Sequence, residues 1–128
     1  MSDRTLKWLS YLPAALVAAG IAVVSLIETN HIPAVAVNDK LIHALMYAVL
    51  AMTLMIPYLS GRITHWSLYL NAWVIASLYG ALMEWLQPIC TQTRVTDYAD
   101  ALANMVGAII GLLVLALCRY IWRHIHTT

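Results

Sequence analysis

The sequence predicts an all-α membrane protein, folded as an antiparallel bundle of four transmembrane helices with both termini in the cytoplasm. Three observations carry this expectation. Of the 128 residues, 62% are hydrophobic and only 10% are charged, with a mean hydropathy of +0.78. A soluble domain of this size cannot hide that much apolar side chain, whereas lipid is a solvent in which it is stable. The apolar residues fall into four runs, each near the length of about 20 residues that a helix needs to cross a ~30 Å hydrocarbon core. Lys and Arg side chains are divided unevenly between the two faces that those runs define.

The first run is 8–27, preceded by Arg4 and Lys7. It is longer than the apolar core of a signal peptide, usually about 7–15 residues, so it reads as a retained span. The second run, 41–59, carries Pro57 near its end, where a local break costs least. The third, 66–86, is followed by Pro88, read as a stop signal just past the helix. The fourth, 98–121, has Asp97 in position to cap its first turn and Arg119 and Arg123 at its far end. Trp8, Tyr11, Tyr58, Trp66, Trp85, Tyr98 and Trp122 all fall near span ends, where an aromatic belt sits. Short connections make each helix antiparallel to the next, and residues 1–128 read as one domain.

Direction follows from the basic residues. With the N-terminus inside, Arg4, Lys7, Arg62, Arg119 and Arg123 lie on the cytoplasmic side, and only Lys40 and Arg94 lie outside. This topology separates Cys90 and Cys118 onto opposite faces and excludes a bridge between them. A formal net charge of +1 excludes the broad basic field that nucleic-acid binding uses.

Ionisable and amide side chains interrupt three of the four runs. Asp39, His43 and Tyr47 are spaced i, i+4, i+8 on one face of the second helix, with Lys40 beside them. Glu84 and Gln87 form an i, i+3 pair near the end of the third, with Gly80 one turn below. Asp97, Asp100 and Asn104 make a stripe at the start of the fourth, and Arg94 precedes it. Under the predicted topology all ten polar groups fall in the outer half of the membrane. An Asp facing lipid at mid-membrane costs on the order of 2.5–3.5 kcal/mol, so these groups are expected to face one another in a shared, water-accessible outer pocket. Ala103, Gly107 and Gly111 form a small-xxx-small series, a device for close helix packing.

These blocks resemble the VanZ-like family of small bacterial integral membrane proteins. The matching residues are Asp39-Lys40-Leu41-Ile42-His43 with Tyr47 and Leu50; Glu84-Trp85-Leu86-Gln87; and Arg94-Val95-Thr96-Asp97-Tyr98-Ala99-Asp100 followed by Asn104, Gly107 and Gly111. The loop departs from the family pattern: a Pro-Gly turn is frequent before the arginine, and Thr91-Gln92-Thr93 stands here. The family takes its name from a protein linked to teicoplanin (glycopeptide) resistance. The resemblance therefore implies a multi-pass protein of the bacterial cytoplasmic (inner) membrane acting at the cell envelope, and it supplies no reaction.

The chemistry of the cluster admits two main readings. In the first, the pocket binds or modulates an envelope component, either a membrane lipid or a lipid-linked or glycan precursor. Asp39, Glu84, Asp97 and Asp100 outnumber Lys40 and Arg94, so a cationic or polyhydroxylated ligand suits it better than a simple anion. In the second, His43, Glu84 and Asp100 are acid–base residues of an interfacial enzyme acting on such a precursor. No cofactor motif is present, although a divalent cation held by His43, Glu84, Asp97 and Asp100 would also balance the acidic surplus. A relay across the membrane is disfavoured, because the cytoplasmic half offers only Thr53, Asn71 and Ser77.

Overall fold

A computed structural model describes residues 3–27, 39–59, 65–92 and 95–126, and all regular structure in them is helical. The helices are α1 (Asp3–Leu9), α2 (Leu12–Leu26), α3 (Asp39–Leu54), α4 (Trp66–Cys90) and α5 (Tyr98–His126), with a 3₁₀ turn at Ile56–Tyr58. Three helical stretches are long and apolar enough to cross a membrane: Thr5–Leu26, Asp39–Tyr58 and Tyr98–His126. Helix α4 has 25 residues, ample length for a span, but its Asn71, Glu84 and Gln87 reduce its apolar character.

Three prolines shape these elements, and one of them, Pro88, acts differently from expectation. Pro13 breaks the first run at Ser10-Tyr11, dividing it into α1 and α2. Its ring has no N–H to offer the carbonyl four residues back, and it is tolerated within the first turn of α2 because that position needs none. Pro57 works as expected, tightening the end of the second run into a 3₁₀ turn. Pro88 does not stop α4; the helix runs through it to Cys90. Proline at 88 frees the Glu84 carbonyl, and the Thr96 hydroxyl donates to that carbonyl at 3.2 Å. The helix then closes on the Gln87 carbonyl, which accepts from Thr91 N at 2.9 Å and Thr91 Oγ1 at 2.8 Å.

Helices α3 and α5 make the closest contact. A Cβ placed on Gly107 would land on the Ala44 carbonyl, and one on Gly111 would lie 2.5 Å from the Ala48 oxygen. Both partners advance by four residues, so the two helices lie side by side in the same direction. The small-residue series therefore works through its two glycines; Ala103, the third member, is half-buried. Helix α4 runs the other way: Gly80 lies against Tyr47 and Asn104, while Glu84, one turn on, faces His43, one turn back. Helix α2 joins through Tyr79 Oη, which donates to the Ala18 carbonyl at 2.7 Å, and through a 2.6 Å Tyr11–Tyr58 hydroxyl pair.

The interior is built from small and flexible apolar groups, among them Ala51, Ala76, Ala108 and Met55, all fully buried. Outward, Leu16, Leu45, Leu78, Leu102, Leu113 and Leu117 are more than half exposed. Apolar side chains ringing the whole circumference, with charge inside, are the arrangement that lipid selects and water does not.

Candidate functional site

The polar stripes meet where α3, α4 and α5 converge. Asp97 starts the arrangement: its Oδ1 accepts from the Ala99 amide at 2.8 Å, capping α5 as expected. Its Oδ2 accepts from Lys40 Nζ at 3.2 Å, and the same ammonium reaches Asp100 Oδ1 at 3.1 Å. The Ala99 amide first, and then the Lys40 ammonium, hold the Asp97 carboxyl below its ordinary value. Lys40 and Asp39 are exposed, and Asp97 is half-buried, so this is the lip of the cluster.

Asp100 carries the cluster inward. While one oxygen accepts from Lys40, Oδ2 lies 3.8 Å from His43 Nε2, too far for a hydrogen bond. The other ring nitrogen, Nδ1, is 3.0 Å from Asn104 Oδ1. Because an amide oxygen only accepts, this contact assigns the Nδ1 proton to the histidine and leaves Nε2 facing the Asp100 carboxylate. Glu84 Oε1 lies 3.6 Å from the same Nδ1.

Below this level the groups are closed off and partly unsatisfied. Glu84, Tyr47 and Asn104 have 2%, 1% and 1% of their surface exposed. Among the described residues, both Glu84 carboxylate oxygens, Tyr47 Oη and Asn104 Nδ2 have no hydrogen-bond partner in good geometry, while the Asn104 side chain and the Asp97 backbone amide lie near enough to Glu84 to favour its charge. A buried polar atom left unpaired costs roughly 1–3 kcal/mol, and more if charged. Two donors and a carboxylate left this way in one place form a polar pocket that a ligand or water can complete. Gly80 makes the crowding feasible, since a Cβ there would meet Asn104 Nδ2 at 3.0 Å and Tyr47 Cε1 at 3.1 Å.

Of the ten polar residues singled out in the sequence, His43, Tyr47, Glu84, Asp100 and Asn104 come together in the interior, with Asp39, Lys40 and Asp97 at its rim. Gln87 is buried one turn beyond Glu84. Arg94 lies outside the described residues. Thr96 was missed, although its signal was legible: a proline four residues after Glu84 marks a carbonyl that needs a new donor. The supporting contacts of Trp73, whose Nε1 donates to the Met105 carbonyl at 3.2 Å, and of Tyr79 had no such signal.

Apolar helices with a charged interior cluster define an α-helical membrane protein with a polar site within its helix packing. The family model VanZ/LLP1 matches residues 11–119, and the chain belongs to that family. No curated protein and no solved structure matches it.

Proposed function

We propose that the chain crosses the bacterial cytoplasmic membrane four times, with both termini inside, and uses this cluster to bind a cell-envelope component at the outer face. Helix α4 supplies the span that composition alone does not mark. Glu84 and Gln87 are turned into the protein, Leu78, Leu82 and Trp85 are turned out, and the exposed Asn71 lies near the other end of the helix. The ligand is a headgroup or glycan precursor bearing hydroxyl or cationic groups, because the described carboxylates outnumber the one described ammonium at the site.

The observation that carries this reading is Glu84: a carboxyl group with 2% exposure and, among the described residues, no hydrogen-bond partner in good geometry for either oxygen. It has paid its desolvation cost before any ligand arrives, so a donor brought to it gains a charge-assisted hydrogen bond of about 1.5–3 kcal/mol. One such bond accounts for roughly ten- to hundredfold in affinity.

A second reading rests on His43, which lies between Glu84 at 3.6 Å and Asp100 at 3.8 Å. An imidazole flanked by two carboxylates can transfer a proton, and the site would then be that of an interfacial enzyme acting on the same precursors. One experiment separates the two. Purified protein is incubated with lipid-linked envelope precursors and the retained and released species are weighed by mass spectrometry. Retention at unchanged mass supports binding, and a product of altered mass supports catalysis. If neither result is seen, or if retention is unchanged in Glu84→Gln and Asp100→Asn, the proposal is overturned.

A further inference from the structure

We propose that Asp39, His43 and Asp100 form a binding site for a divalent first-row transition-metal ion at the mouth of the cluster. One ligating atom from each residue lies within 4.8 Å of the other two. Oxygen and imidazole ligands sit about 2.0–2.2 Å from such an ion. His43 Nε2 and Asp100 Oδ2, at 3.8 Å, can therefore both reach one ion placed between them. The ligands come from two parallel helices held in fixed register by Gly107 on Ala44 and Gly111 on Ala48. The ring of His43 and the carboxylate of Asp100 thus stand on rigid elements, with 4% and 8% of their residue surface exposed.

The far side of the imidazole gives an independent reason. A histidine that ligates a metal donates its other ring N–H to a carboxylate or carbonyl, which fixes the tautomer and strengthens the ligand. Here Nδ1 meets the Asn104 carbonyl oxygen at 3.0 Å and the Glu84 carboxylate at 3.6 Å, and Glu84 is buried with no hydrogen bond in good geometry to either oxygen among the described residues. Glu84 is aimed at the ring nitrogen opposite the proposed ion. A divalent charge on Nε2 makes Nδ1–H a stronger donor toward both of these acceptors. Nε2 and Asp100 Oδ2 face each other at 3.8 Å with no hydrogen bond between them, a gap that an ion can occupy.

This ligand set differs from the one the sequence suggested. Asp97 is held by the Ala99 amide and by Lys40, and Glu84 lies on the wrong side of the ring to ligate, so both support the site from outside it. Asp100 can ligate through Oδ2 while Oδ1 keeps Lys40. Three protein ligands leave coordination positions open toward the exposed lip, and an ion there would hold phosphate or hydroxyl oxygens of an incoming headgroup. The inference shares its location with the proposed envelope-ligand site, but it is read without that ligand, so the two can fail separately.

The test is Co²⁺ and Zn²⁺ binding to the full chain in detergent after chelator treatment. Cobalt gives visible d–d absorption whose strength reports coordination, and zinc is followed by competition against it. Because His124 and His126 in the last turn are themselves adventitious ligands, the measurement is made on the His124→Ala/His126→Ala protein. One equivalent of cobalt with nitrogen–oxygen coordination is expected. Asp100→Asn and His43→Gln should each abolish the signal, while Glu84→Gln should keep it with affinity lowered about 10- to 100-fold, as for an outer-shell partner. Thermal unfolding confirms that each variant is folded, and Asp39→Asn provides a rim variant whose fold does not depend on the replaced group. Absence of a d–d signal, or a signal unchanged in folded Asp39→Asn and Asp100→Asn, overturns the inference.

Discussion

Replacing Glu84 with methionine should make the protein more stable and inactive at once. The carboxylate is 2% exposed, and among the described residues neither oxygen has a hydrogen-bond partner in good geometry. Leaving a buried polar group unpaired costs about 1–3 kcal/mol, with charged groups at the upper end. Methionine is close to glutamate in length, and its flexible thioether can fill the same space. The opposing term is the lost attraction to His43, whose Nδ1 lies 3.6 Å away. That nitrogen keeps its 3.0 Å contact with Asn104, so the histidine keeps a partner, and the Asp97 amide and Asn104 side chain are the smaller losses. The Glu84 carbonyl, which Thr96 satisfies, is unaffected because it belongs to the backbone. A net gain of about 1–3 kcal/mol is expected, shifting the unfolding equilibrium roughly 5- to 150-fold. The assay is unfolding in mixed micelles with increasing denaturing detergent, followed by tryptophan fluorescence, with chelator present so that bound ions contribute nothing. A loss of more than about 1 kcal/mol in Glu84→Met would show that the carboxylate holds the bundle together, and the reading of Glu84 as a functional group would be wrong.

Gly107→Leu should destabilise the protein by at least the ~1–3 kcal/mol typical of overpacking, because its side chain meets the Ala44 backbone, which cannot rotate away. Gly20→Leu, where nothing lies within 4 Å, should be close to neutral in the same unfolding assay. Both cysteines are exposed; an impermeant thiol reagent applied to intact cells should label Cys90 and spare Cys118, and the opposite pattern would invert the four-span topology. Asp97 is depressed by the Ala99 amide and Lys40, so its contribution is fully present above its unfolded value near 3.8 and is lost as pH falls through the lower folded value. Asp97→Asn should therefore be less stable than the parent at pH 7, with the gap closing below about pH 4; a gap that widens on acidification would contradict this.

Helical spacing made the inward stripes legible before any coordinates. Residues four apart share a face, and charge cannot face lipid cheaply, so His43, Tyr47, Asp100 and Asn104 had to converge. The cap at Asp97 followed from a local rule of the same kind. Proline was read less well, because its effect depends on what becomes of the carbonyl it frees. At Pro88 the Thr96 hydroxyl takes that carbonyl and the helix continues, whereas at Pro13 the chain breaks. The receiving surface for the glycines was also missed. Ala44 and Ala48 are as regularly spaced as Gly107 and Gly111, but alanine is so common in apolar helices that the pair carries little signal alone. Spacing cannot show which ring nitrogen faces which carboxylate, and the distinction between Asp100 as a ligand candidate and Glu84 as its support depends on that orientation.

The packing of α3 on α5 and the chemistry of the cluster are one feature rather than two. Gly107 lies one turn from Asn104 and two from Asp100, and Ala44 is adjacent to His43. The backbone contact at Gly107 therefore fixes the separation at which Asp100, Asn104 and His43 face each other. A larger residue at that contact would move the helices apart by a side-chain layer and take His43 out of reach of both partners at once. The glycines are thus positioning residues for a site they never touch. A chain that kept every polar residue of the cluster and lost Gly107 would keep the charges without the geometry that gives them a use.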